Sequence, residues 1–162
     1  MSRRGSSLIE AVLVLPVMFF LFAAMIEMAR VTYTYAMIQK MLANLAKTLT
    51  TQQGVNFCAA DAGITSAINW ALTSSTEGGA PALAPNLEAA NIRIRIERVD
   101  EGGELSECEC SPGGCDAALA GRAPDFLVVS LENGYPVRLA VPFLNFEPFV
   151  LRPQVRMPYR GT

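Results

Sequence analysis

Residues 3–30 of the chain read RRGSSLIEAVLVLPVMFFLFAAMIEMAR, and the organisation of the whole molecule turns on them. Residues 8–26 form a run of 19 in which Glu10 alone carries a charge. An apolar helix of about 20 residues, rising ~1.5 Å per residue, crosses a hydrocarbon layer of roughly 30 Å, so this run is predicted to span a membrane. Two other readings compete with that one. A secretory signal peptide shares the positive start at Arg3 and Arg4, and Phe22-Ala23-Ala24 offers small residues for cleavage. Its apolar part, however, is usually only about 7–15 residues long. A core helix of a soluble protein seldom stays apolar on every face for this length. A carboxylate inside a span costs about 2.5–3.5 kcal/mol at the centre and less near an end, which marks Glu10 as a functional residue in need of a partner.

Composition describes a divided molecule. Of 162 residues 51% are hydrophobic and 17% charged, with mean hydropathy +0.29, and the apolar excess sits mostly in the first third. The chain beyond residue 50 is long enough for one small core and too short for a large catalytic cleft with a lid. A net charge of −2 supplies no basic surplus for a nucleic-acid partner. The chain has no histidine, which removes the commonest general base, the usual Ser and Cys triads and histidine-containing metal sites. Its carboxylates form no evident catalytic pair, and Gly102-Gly103 and Gly113-Gly114 lie in turn-like segments rather than in a phosphate loop. The expectation is a non-enzymatic protein with no cofactor, no metal and no small-molecule substrate.

Past the apolar run the helical period persists. Val31, Tyr35, Ile38, Leu42, Leu45 and Leu49 recur at alternating spacings of four and three, with Thr32, Gln39, Lys40, Asn44, Lys47 and Thr48 on the other faces. The pattern predicts one rod over residues 6–50, roughly 65 Å long, with residues 8–26 transmembrane and 27–50 amphipathic. Pro16 is a kink point, and Gln52-Gln53-Gly54 is the stop. The chain's own later residues are expected to cover the stripe; partner helices are the alternative. Asp61 is placed to cap a short helix carrying Ile64, Ile68, Ala71 and Leu72 on one face, with Trp70 to the side. Residues 73–86, TSSTEGGAPALAPN, read as a surface loop.

Strands are predicted from there on. Ile92, Ile94 and Ile96 alternate with Arg93, Arg95 and Glu97, and Val137, Leu139, Val141 and Phe143 alternate with Arg138, Ala140 and Pro142. FLVVSL, residues 126–131, is a further strand, with a turn or bulge at Asn133-Gly134. Phe149, Leu151, Val155 and Met157 fit a last strand, and Pro153 within it argues for a sheet edge. The expected fold class is therefore α+β, with a long N-terminal helix packed against a small antiparallel sheet of three or four strands. Arg93, Arg95, Arg138, Arg152 and Arg156 are expected to share the outer face, either as solvated charge or as a contact patch for a partner.

All four cysteines, Cys58, Cys108, Cys110 and Cys115, lie beyond the apolar run. Arg3 and Arg4 before the run place the N-terminus in the cytoplasm and residues 51–162 on the far side, where thiols oxidise. The spacing within CECSPGGC does not match paired zinc knuckles, so disulfides are favoured over a zinc site. A Cys108–Cys110 bridge would close too tight a ring. That leaves Cys58 joined to Cys108 or Cys110, with the other closed to Cys115.

The opening stretch resembles the processing site of type IV pilin-like precursors. A short basic leader ends in Gly5, and with Ser6 counted as the first mature residue Glu10 is the fifth. The Leu15-Pro16 pair and the later Glu27 and Arg30 are similar to the start of TadE-like pseudopilins of tight-adherence pilus machines. The likeness is specific over about residues 3–30 and one of layout beyond; Ser6-Ser7 stand where small alanines are common in the family. The resemblance implies a pilin-like fold with a leader, residues 1–5, cut by a prepilin peptidase between Gly5 and Ser6. It also implies assembly through Glu10, whose carboxylate the new α-amine of Ser6 would satisfy, with the membrane and other pilin and pseudopilin subunits as partners. The expected protein is a minor pilus subunit held by one span in the inner membrane and available for incorporation into a surface pilus. The alternative is a membrane-anchored extracytoplasmic binding module.

Overall fold

The computed structural model of the protein describes residues 3–59, 61–76, 82, 84–100, 102–141, 144–145 and 147–160. A single helix, α1, runs over Arg3–Thr51 and passes through Pro16 without interruption. At ~1.5 Å per residue its 49 residues extend about 73 Å. Gly54, at φ +71°, takes the left-handed conformation that turns the chain away just beyond it. The helix end is closed by the end of the chain: Arg160 N–H donates to the Thr50 carbonyl at 3.1 Å and the Tyr159 hydroxyl to the Gln52 carbonyl at 3.3 Å. Both carbonyls belong to the group that a helix terminus leaves without intrahelical donors. Phe57 meets the Tyr159 ring edge-on at 5.5 Å. Burial lifts the Tyr159 pKa above its ordinary value of 10.0. Its contribution to stability is therefore complete below pH 10 and is lost as pH rises through the raised value.

Helix α2, Ala62–Thr73, packs against α1. Asp61 caps it as predicted, its Oδ1 accepting from Gly63 N–H at 2.6 Å, and Ser74 closes the other end in the left-handed region. Four strands then form one antiparallel sheet: β1 (Ile92–Val99), β2 (Leu105–Glu107), β3 (Phe126–Leu131) and, last in the chain, β8 (Gln154–Pro158), side by side in the order β2-β1-β3-β8. In register, Ile92, Ile94 and Ile96 face Leu131, Val129 and Leu127, of which Val129 and Leu127 face Val155 and Met157 in turn. These residues meet Ile38, Met41, Leu42, Leu45, Ala46 and Leu49 of α1 and Ala67, Ala71 and Leu72 of α2 in one apolar cluster. The outer half of α1 is thus the floor on which the sheet is laid. Within the predicted stripe Val31 is half-buried and Tyr35 is exposed, because at that level Glu27 and Thr34 face the segment from Tyr135 to Ala140 and the core-forming stripe begins at Ile38 and Met41.

Three strand readings need correction. Residues 137–143 are not one alternating strand: β4 (Tyr135–Val137) pairs with β7 (Phe149–Leu151), and β5 (Ala140–Val141) pairs with β6 (Leu144–Asn145). Pro142 and Phe143 lie outside the described residues. The segment from Phe149 to Met157 is likewise two strands, β7 and β8, separated at Arg152 and the fully buried Pro153, whose ring cannot donate to a ladder. The charged face of β1 is less open than the alternation implies. Glu97 is buried opposite Glu107 and neutralised by Arg156, 2.9 Å away, in a contact of charge rather than an aligned hydrogen bond. Val128 on the same face is buried between its register partners Arg95 and Arg156, whose aliphatic stems are what that face has to cover it.

Gly134, at φ +68°, is where β3 leaves the sheet and β4 begins. A Cβ there would collide with the Val150 side chain and lie 2.6 Å from the Leu151 carbonyl oxygen, so the β4–β7 pair closes only over glycine.

Because Leu42 is fully buried between sheet and helix, Leu42→Asp is expected to destabilise the region beyond the span by more than the ~2–5 kcal/mol of a leucine truncation. Lys40→Asp on the exposed face should be nearly silent. Urea unfolding of the full chain in detergent, followed by near-ultraviolet circular dichroism, checks both; a folded Leu42→Asp protein that fails to associate with other subunits would make the stripe an intermolecular seam instead.

Candidate functional site

The residues singled out from sequence fall at three separate levels of the molecule. Gly5 and Ser6 lie in the first turns of α1, and Glu10 stands further along on an exposed surface of the same helix. From Val12 to Met28 the large apolar side chains stand exposed, Leu15 at 68% and Ile26 at 68%, as lipid-facing residues do. Among the described residues α1 is the one helix long and apolar enough to cross a membrane, with a window of mean hydropathy 2.4. The buried surface of α1 begins at Glu27, the first residue after the apolar run, about 25 Å along the axis from Glu10.

Glu27 is the residue whose role spacing did not disclose. Its side chain is 12% exposed, its Oε2 accepts from Ala140 N–H at 3.2 Å, and its Oε1 lies 3.6 Å from Arg30 Nη1. Arg30 in turn donates through Nη2 to the Arg138 carbonyl at 2.9 Å. The two side chains, three residues apart and therefore on one face of α1, hold the backbone of residues 138–140 like a pair of pegs. The exposed Arg30–Glu27 ion pair itself adds little; the hydrogen bond to a buried carboxylate carries more. A carboxylate and an arginine set directly behind an apolar run were the available signal, but nothing in the sequence names a backbone partner more than a hundred positions away. Between this clamp and β4 lies a hollow of about 290 Å³ lined by Arg30, Thr34, Met37, Tyr135 and Arg138.

The cysteines pair as Cys58–Cys110 and Cys108–Cys115, one of the two arrangements the spacing left open. All four are consumed, which overturns the zinc alternative. The first bridge ties the segment after α1 to the connection between β2 and β3, and the Asn56 Nδ2 to Asp116 Oδ1 bond at 2.9 Å runs beside it. The arginines do not form one patch. Arg93, Arg95 and Arg152 line a shallow hollow with Glu132 and Gln154, Arg156 is turned to Glu97, and Arg138 sits apart at the clamp. Chain direction separates them: four belong to the sheet and its margin, whereas Arg138 comes after β4 on the way down towards the span.

Residues 5–46 match the family model described as TadE-like protein. The likeness to that family is confined to the N-terminal helix. The match begins at Gly5, takes in Glu10, Glu27 and Arg30, and ends within the buried part of α1, leaving the sheet outside it. No curated protein and no solved structure matches the chain.

Two outcomes are expected of this arrangement. Glu27→Ala, which leaves Ala140 N–H without its acceptor, should cost about 1–3 kcal/mol and speed amide exchange at Ala140 and Val141, while Glu27→Gln should recover most of the loss. Native mass analysis should find no alkylatable thiol, and replacing Cys58 and Cys110 together by serine should cost about 2–5 kcal/mol in urea unfolding, since that bridge closes a loop with a sequence separation of 52.

Proposed function

We propose that this protein is a minor pilus subunit, a pseudopilin of a tight-adherence type IV pilus, stored by its single span in the inner membrane and drawn from there into the assembly. The observation that carries the reading is the TadE-like match starting at Gly5 and coinciding with an uninterrupted helix that is apolar first and core-forming second. A prepilin peptidase would cut between Gly5 and Ser6, removing Arg3 and Arg4 and freeing an α-amine. In a medium of low dielectric that amine and the Glu10 carboxylate attract strongly, so Glu10 is best satisfied where a mature terminus, its own or a neighbour's, comes within reach. The function needs no chemistry on a substrate: the helix supplies the shaft and the sheet with its disulfides supplies a rigid head. Arg3 and Arg4 before the span support a cytoplasmic N-terminus, and two disulfides in the head support an oxidising compartment on the other side.

Mass spectrometry of the protein from cells containing the peptidase should find a mature N-terminus at Ser6. Gly5→Val should leave the precursor uncut, and Glu10→Ala should be cut normally yet recovered several-fold less with the other pilus subunits. A wild-type chain that retains Arg3 and Arg4 would rule out the pilin reading in favour of an anchored binding module, and normal recruitment of Glu10→Ala would remove the role assigned to that carboxylate.

A further inference from the structure

Charge is not spread evenly over the head. Residues 97–125 hold eight carboxylates and two arginines, in a chain whose net charge is only −2. The fold gathers four of those carboxylates at one end of the sheet. Asp125 Oδ2 accepts from Val99 N–H at 2.9 Å, Asp100 Oδ1 accepts from Glu104 N–H at 2.8 Å, and Glu107 lies opposite Glu97 in the ladder. The Asp125 carbonyl also accepts from Tyr159 N–H, and Tyr159 and Arg160 are bonded to Gln52 and Thr50, so this end is level with the last turn of α1. Asp100, Glu104, Glu107 and Asp125 are exposed, and none has an ion-pair partner among the described residues. Arg98, Arg122 and Arg160 are the cations of this end, and Arg98 is drawn onto the Gly114 carbonyl at 3.4 Å.

The other end of the same sheet is basic. Ile92, Ile94 and Ile96 pack on α1, so Arg93 and Arg95 between them stand on the face turned away from it. With Arg152 they line a hollow of about 210 Å³ whose one acid is Glu132. None of the three has an ion-pair partner among the described residues, and Arg95 Nε is buried without an acceptor. From this end β3 passes to Tyr135, which shares a hollow with Thr34 and Met37, so the arginines stand nearer the apolar run than the carboxylates do. Along β1 the six residues from Arg93 to Val99 span about 20 Å at ~3.3 Å each. Charges act over roughly 10 Å at 0.1 M salt, so the two ends are electrically distinct.

We propose that the hollow of Arg93, Arg95 and Arg152 is a docking site for the carboxylate-bearing outer end of a second copy of this chain. The inference rests on the role proposed above, a subunit that enters an assembly, and names one contact by which it does so. The occupant is a second copy because the chain carries both halves of the contact: three guanidiniums without carboxylates at one end, and exposed carboxylates without cations at the other. Arginine forks and carboxylates match in geometry as well as in charge. A contact between unlike ends is heterologous, so it propagates along a row of copies instead of closing on itself. It also sets a stagger. Two copies held by their spans in one bilayer stand at equal height, where arginines meet arginines and carboxylates meet carboxylates, and like charges repel. Raising one copy along the shaft by about 20 Å brings its neighbour's acidic end to its own arginines. The charge pattern thus opposes lateral clustering at rest and favours the stepped arrangement of a filament.

The test uses the full chain in a non-ionic detergent, where spans no longer hold the heads at one height, and measures self-association by sedimentation. The wild type should associate at ~50 mM salt and at least about ten-fold more weakly at ~0.5 M. An acid-reversed chain, Glu104→Arg with Glu107→Arg, and a base-reversed chain, Arg93→Glu with Arg152→Glu, should each lose at least about ten-fold with an unchanged near-ultraviolet spectrum. Mixing the two reversed chains should restore association, since each then meets its complement. Should the base-reversed chain misfold, Arg93→Gln with Arg152→Gln should show a loss in the same direction. A monomeric wild type, indifference to salt, or no recovery on mixing overturns the contact. Loss in the base-reversed chain alone assigns the hollow to some other anion and likewise overturns it. A chain cut at Ser6 and recruited with other pilus subunits, yet monomeric here, sinks the contact and leaves the pilus reading standing. An uncut chain that associates as described does the reverse.

Discussion

Everything beyond the apolar run depends on the burial of one helical face. The residues of α1 from Ile38 to Leu49 that meet the sheet are almost wholly withdrawn from solvent, and each large aliphatic side chain so buried contributes about 1.5–3 kcal/mol. A four-stranded sheet with a single apolar face is not stable in isolation, and α2 is too short to cover it. The same rod is thus apolar and exposed over one half and covered by protein over the other. The change occurs at Glu27, where a charged side chain is first turned inwards and given a partner.

Much of this was legible because it arises from periodicity. The stripe from Ile38 to Leu49, the cap at Asp61, the strand at Phe126–Leu131 and the inward isoleucines of β1 each sit where the period of their element puts them, and burial on one face enforces that repeat. Readings failed where an alternation was broken by geometry that composition does not express. Residues 137–143 alternate like a strand, but the Arg138 carbonyl and Ala140 N–H are turned to Arg30 and Glu27, and the described residues fall into two short ladders. The division at Pro153 was hinted at by proline, though not that the ring would be buried. Three-residue β2 carries too few positions for any period to show.

At the site the legible and the hidden divide along a different line. Gly5, Ser6 and Glu10 are local signals, defined by neighbours within a few positions, and the TadE-like match covers them. The functions of Glu27 and Arg30 are non-local, since what they hold is main chain delivered by a distant segment. The choice of Cys110 over Cys108 for Cys58 was hidden for the same reason: Cys108 N–H extends the β1 ladder to Ile96, which turns that side chain towards Cys115 and leaves Cys110 for Cys58.

The closure of α1 by Arg160 and Tyr159 bears on the order in which the molecule is made. Strand β8 and the residues after it are synthesised well after α1, yet they complete the sheet against the first element and satisfy its terminal carbonyls. Until they arrive, the stripe of a helix already made stands uncovered, and contacts of such large sequence separation form slowly. The nascent head is for that interval a sticky surface, on which unproductive association competes with folding. A chain truncated before Gln154 would therefore be expected to linger in that state, its stripe never covered.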